Sequence, residues 1–136
     1  WSSDVCSSDL EWEYACCAGT TTAYSFGDDA SRLGDYGWFE GNMDLKTHPV
    51  GEKKPNAWGL YDMHGGVYEW CQDWYGAYPS GSATDPAGVT SGSNRVFRGG
   101  SWDNDAWVCR SAFRYRFSPG GRNFNLGFRV LRSSIK

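Results

Sequence analysis

The 136-residue chain has no apolar run near the roughly 20 residues that a membrane-spanning helix needs, so no span is expected in it. Histidine is scarce. His48 and His64 stand far apart with no third partner, so surface or hydrogen-bonded roles are expected rather than metal ligation or general-base work. There is no Ser–His–Asp arrangement, no phosphate loop and no metalloprotease motif. Nor is there an excess of positive charge: 13 Lys+Arg against 16 Asp+Glu leave a net charge of −3, which argues against nucleic acid as a partner. No repeat or linker is visible, and the length suits one domain.

What the chain has is rings and glycine. Aromatics make up 17% of residues, with 8 Trp, and there are 18 Gly. Large rings fill a core that is short of aliphatic residues, and frequent Gly without helical periodicity points to turns, loops and short strands. The pattern predicts the end of a helix over residues 11–19, with Trp12, Ala15 and Cys16 on one face and Gly19 as the stop. Residues 20–57 read as irregular. Strands are expected at 58–63 and 67–74, on either side of His64-Gly65-Gly66. In the second, Tyr68, Trp70 and Trp74 fall on one face, with Glu69, Cys71 and Asp73 on the other. A Pro/Gly/Ser loop over 76–94 precedes strands at 95–98, 109–117 and 127–131.

The first ten residues, Trp1 to Leu10, read as foreign: they resemble the translation of a sequencing adapter carried into a metagenomic reading frame. Setting aside Asp4 and Asp9 takes the acids from 16 to 14 and the net charge to −1. Cys6 goes with them, leaving Cys16, Cys17, Cys71 and Cys109.

From residue 11 to about 132 a series of motifs runs in order: Glu11-Trp-Glu-Tyr-Ala, Asn56-Ala-Trp-Gly-Leu-Tyr-Asp-Met-His-Gly, Tyr68-Glu-Trp, Asp73-Trp-Tyr, Arg98-Gly-Gly-Ser-Trp102, Cys109-Arg-Ser-Ala and Asn125-Leu-Gly-Phe-Arg129. This series resembles the formylglycine-generating enzyme (sulfatase-modifying factor) family. The resemblance implies an α+β, C-type-lectin-like fold, loop-rich with short antiparallel strands and few helices, of which residues 11–136 are the C-terminal part. It also implies a bacterial or phage source, with any secretion signal in the N-terminal half.

In the family's oxidases two cysteine thiolates bind copper(I), a pairing that suits a soft ion. They follow the Gly-Gly-Ser element, where this chain reads Trp102-Asp-Asn-Asp-Ala-Trp-Val108 without cysteine. No catalytic residue and no copper are therefore expected. Cys16 and Cys109 resemble positions that form a structural disulfide in the family; in a reducing compartment both would stay free thiols. The resemblance further implies a structural calcium ion held by side-chain oxygens of Asp62 and Glu69 and carbonyls of His64, Gly65 and Val67, a donor set that suits a hard cation. The alternative is that both acids pair with nearby Arg.

Many bacterial and phage members carry Asn at set positions in the last forty residues. This chain replaces it at Phe97, Asp103, Asp105, Val108, Phe113, Tyr115, Phe117, Gly121 and Phe124, and keeps Asn104, Asn123 and Asn125. All nine replacements are reachable by mutating the adenines of an Asn codon. The pattern resembles the targets of diversity-generating retroelements and implies a surface for an unknown protein or surface ligand. Rings alternate with Arg over 109–117, and if the ring positions tolerate Asn, the rings face water and the arginines turn inward toward acids such as Asp73 or Glu69. Trp102, Leu126 and Phe128, between those positions, are expected to be buried.

Overall fold

A capping box starts the first helix, α1 (Asp9–Cys17): Ser8 Oγ accepts from the Glu11 N–H at 3.2 Å and the Glu11 carboxylate accepts from the Ser8 N–H at 2.9 Å. The helix stops at Ala18, which turns left-handed at φ 48° just before Gly19. The computed structural model describes residues 7–78, 80–81 and 88–130. Residues 1–6, part of the 76–94 loop and Leu131 of the last expected strand lie outside the described residues. Residues 7–10, expected to lie outside the fold, are part of it. Ser8 supplies the cap and Asp9 an acid on the buried side of α1.

The stretch expected to be irregular contains one turn of 3-10 helix, Ala30–Arg32, capped by Asp29 and running into the short α2 (Leu33–Tyr36). Four strands follow: β1 (Tyr68–Trp74), β2 (Arg95–Arg98), β3 (Arg114–Phe117) and β4 (Leu126–Gly127), ordered β3-β2-β1-β4. The β1–β2 and β2–β3 pairs are antiparallel as expected, but β4 runs parallel to β1. Residues 58–63 form no strand, because the Asn56 side chain accepts from the Trp58 and Leu60 N–H groups and folds them into a turn. The strand expected at 109–117 begins only at Arg114. Before it, the Cys109 and Phe113 N–H groups donate to the Ala106 and Arg110 carbonyls in turns, and the Ser111 N–H donates to the distant Ala23 carbonyl.

The sheet has two unlike faces. Glu69, Cys71 and Asp73 of β1 and Val96 and Arg98 of β2 are buried on the side of α1, where Trp12, Cys16, Met63, Cys71 and Val96 form the core. A second cluster joins Tyr24, Leu33 and Cys109. Arg98 is completely buried and pairs with Asp9 and, at 2.7 Å, with Glu13. Arg114 reaches Asp9 at 2.8 Å, and the Asp9 N–H donates to Asp73 at 2.5 Å. Arg98 and Asp9 are thus matched, as burial requires, whereas Asp73 has no ion-pair partner among the described residues and burial raises its pKa. No helix among the described residues is long and apolar enough to cross a membrane.

Candidate ligand-binding face

The other face of the sheet is aromatic. The register sets Trp70 opposite Phe97 and Phe97 opposite Tyr115, one ring on each of three neighbouring strands. Phe97 meets Tyr68 at 4.4 Å, Tyr115 at 5.8 Å and Trp70 at 6.1 Å between ring centroids. The band continues through Phe113, stacked 6.4 Å from Tyr115, to Trp107 at 5.2 Å. On its other side Phe117 lies 6.5 Å from Trp70. Tyr115 is 56% and Phe117 38% exposed. Within β3 both rings face water and Arg114 turns inward to Asp9, but Arg116, also expected to turn inward, is exposed, with its guanidinium over Tyr75 rather than on an acid. The acid that Arg114 meets is Asp9, not Asp73 or Glu69.

Eight of the nine positions singled out in the sequence are exposed or half-buried. The exception is Phe97, only 7% exposed. It faces outward, but β2 is an inner strand, and the rings of β1 and β3 close over it. Gly121 abuts Phe117, since a Cβ there would meet the Phe117 ring at 2.1 Å. Asp103 accepts from the Asn125 side chain at 3.0 Å, and the Asn125 carbonyl accepts from the Tyr68 N–H at 2.8 Å, which ties Asp103 to the band. Asp105 and Val108 share a turn closed by the Val108 N–H on the Asp105 carboxylate at 3.2 Å. Phe124, 69% exposed, sits apart from the main band, over Trp102 at 5.7 Å. Of the residues expected to be buried between them, Trp102 and Leu126 are half-buried. Phe128 is 64% exposed, because β4 ends at Gly127 and Phe128 lies just beyond the edge of the sheet.

Tyr68, Trp70 and Trp107 belong to the face and carry no adenine signature. Alternation along β1 had placed Tyr68 and Trp70 together, but their pairing with Phe97 depends on the sheet register. Burial first, then negative charge that includes Asp103 and Asp105, raises the Tyr68 hydroxyl above its ordinary range.

The residues expected to hold calcium divide. Asp62, Gly65, Val67 and Glu69 line one pocket of about 540 Å³. His64 does not: its carbonyl packs on the Gly37 backbone, and its ring is buried among the cysteines. Asp62 is held left-handed at φ 58°, with one carboxylate oxygen accepting from the Gly51 N–H at 2.7 Å. Glu69 is committed elsewhere, to Arg129 at 2.7 and 2.9 Å and to the Trp12 indole N–H at 2.7 Å. Glu69 thus pairs with an arginine, the alternative left open by the sequence, and among the described residues no three His, Cys, Asp or Glu side chains gather as a group that could hold a metal ion.

Cys16, Cys17, Cys71 and Cys109 are free thiols, and the pairing that resemblance implied for Cys16 and Cys109 is not formed. The His64 ring stands beside both: 3.8 Å from the Cys16 sulfur, with Nδ1 2.9 Å from the Cys109 carbonyl. Burial pushes the Cys109 thiol up to about 12 and raises Cys16 and Cys71 as well, the opposite of an activated thiolate.

The comparisons with known proteins agree on the scaffold. The profile of the sulfatase-modifying factor enzyme 1-like domain matches residues 1–134. The formylglycine-generating enzyme of Streptomyces coelicolor is 33% identical over 146 residues, covering 95% of this chain and 46% of that protein. The serine/threonine-protein kinase pkn1 of Chlamydia caviae is 37% identical over 129 residues, covering 91% of this chain but 20% of the kinase. Among solved structures, Treponema denticola variable protein 1 superposes with a TM-score of 0.86 at 42% identity, over 90% of this chain and 45% of its own. PvdO from Pseudomonas aeruginosa gives 0.81 at 32% identity, over 92% of this chain and 51% of its own. The chain therefore spans about half or less of the length of these relatives. With an α+β, loop-rich, C-type-lectin-like architecture and few helices, it belongs to the sulfatase-modifying factor enzyme 1-like domain family.

Proposed function

We propose that this chain is a non-catalytic ligand-binding protein whose C-terminal surface is diversified, with a protein or surface ligand seated on the aromatic face. The observation that carries the reading is the placement of the adenine-reachable positions: rings from β2, β3 and the turns around them adjoin one another, while Arg114 between them holds β3 to the core. Rigid aromatics give contact area at low entropic cost, and adjoining exposed rings form the kind of apolar patch that marks an interaction site. Similarity to a protein described as a variable protein supports the same reading. The oxidase alternative lacks its thiolate pair: Trp102–Val108 holds no cysteine, and the next thiol along the chain, Cys109, is buried beneath Gly100. Calcium, held by Asp62 and the carbonyls of Gly65 and Val67, is a structural ion in this reading, and copper has no part in it.

The reading is tested by recoding the nine positions with adenine-randomised Asn codons and displaying the library. Most members should stay folded, and selection on unrelated proteins should return binders that differ at these positions. A library that is largely unfolded, or binders whose affinity survives reversion of all nine positions, would overturn it.

A further inference from the structure

The sheet ends at β3. In the order β3-β2-β1-β4 it has β2 on one side and, among the described residues, no strand on the other. It pairs with β2 over four consecutive residues without a bulge, from Arg114 opposite Arg98 to Phe117 opposite Arg95. In an antiparallel ladder every second residue turns its N–H and C=O away from its partner. Two of the four β3 residues therefore present both groups at the free edge, and no described residue outside the sheet hydrogen-bonds the β3 backbone there. The strand holds neither Pro nor Lys, two common guards of an exposed edge. Its arginines are drawn away from the ring side, Arg114 to Asp9 and Arg116 to a position 4.7 Å over Tyr75. On the ring side Tyr115 and Phe117 stand two residues apart and both exposed. A strand laid beside β3 would run about 4.8 Å from it, with alternate side chains in reach of both rings. Edge groups and rings thus repeat at the same two-residue interval, and one kind of ligand repeats with them: a chain in extended conformation.

We propose that β3 takes an extended polypeptide segment as a fifth strand, its main chain hydrogen-bonded along the β3 edge and every second side chain laid against Tyr115 and Phe117. The inference rests on the ligand-binding reading and adds the conformation of the ligand to it. A folded surface or a sugar covers the rings but leaves the edge N–H and C=O groups to water, whereas an added strand satisfies both.

Linear heptapeptides selected on the protein from a random library test this, each remade with an N-methyl group at one residue at a time. Methylation should weaken binding by about fivefold or more, the scale of one lost hydrogen bond, and at alternate residues only. Hydrogen exchange should show two β3 amides that exchange fast in the free protein and slowly once a peptide is bound. Tyr115→Ala/Phe117→Ala should weaken the same peptides. Peptides that depend on the two rings but tolerate methylation at every residue, with the edge amides still fast, overturn strand addition and leave the binding face standing. So does a face that selects folded domains and no linear peptide. A free protein that sediments as a dimer with its edge amides already slow assigns the edge to a second copy and also overturns the proposal. Peptides indifferent to both methylation and the ring variant overturn the strand and the face together.

Discussion

At the scale of single residues, the least legible position in the sequence was Asp9. It lies in a segment that reads as foreign, yet its carboxylate pairs with Arg98 and Arg114 at the centre of the buried network. Nothing local marks it, because its partners are far away along the chain, beyond β1. His64 was legible in kind: a hydrogen-bonded role was expected, and its ring is buried between two fixed partners. The Ser25 N–H donates to Nε2 at 3.1 Å and the Cys109 carbonyl takes the Nδ1 proton at 2.9 Å, which sets a neutral tautomer. Burial depresses its pKa from 6.5 to about 4. The unfolded chain therefore binds a proton that the folded chain refuses between those values, so this contribution to stability is complete above pH 6.5 and lost as pH falls toward 4. The loss over that window is on the order of 3 kcal/mol. Urea unfolding of the protein and of His64→Gln across pH 7 to 4 should show the smaller loss for the variant. Equal losses would mean that His64 is not held neutral.

At the scale of elements, periodicity located the pieces better than their lengths. β2 matched its expected bounds and β1 fell within one residue of them, because alternation ran through both without a turn signal. The strand expected at 58–63 failed because one buried side chain, Asn56, closes a turn that hydropathy does not register. β3 carries the sharpest claim about facing. Tyr115→Asn and Phe117→Asn should each cost less than about 1 kcal/mol in chemical denaturation, since both rings are partly in water. Arg114→Asn should cost at least about 2 kcal/mol, since it strips a buried carboxylate of one of its two arginine partners. The reverse order would place the rings in the core and make the alternation ordinary strand amphipathicity.

At the scale of the whole molecule, the scaffold was readable because its motifs recur in order over nearly the full chain, whereas the assembled face was not. Phe97 is covered because β2 is an inner strand, and Phe128 is exposed because β4 ends at Gly127, neither of which their neighbours in sequence disclose. The pocket around Asp62 is the second whole-molecule feature. Calcium should raise the melting temperature, and Asp62→Ala should abolish the rise. Glu69→Ala should instead destabilise the protein with or without calcium, because it leaves Arg129 unpaired. A rise that survives Asp62→Ala would remove the ion from that pocket. The central claim, that the aromatic face exists to be varied, is tested most directly by sequencing the DNA around codons 95–130 in its source. The account predicts an adjacent near-copy of that stretch, differing from it only at adenines of the copy, beside a reverse transcriptase gene. A complete flanking sequence with no such copy, or a copy whose differences fall equally on all four bases, would contradict it.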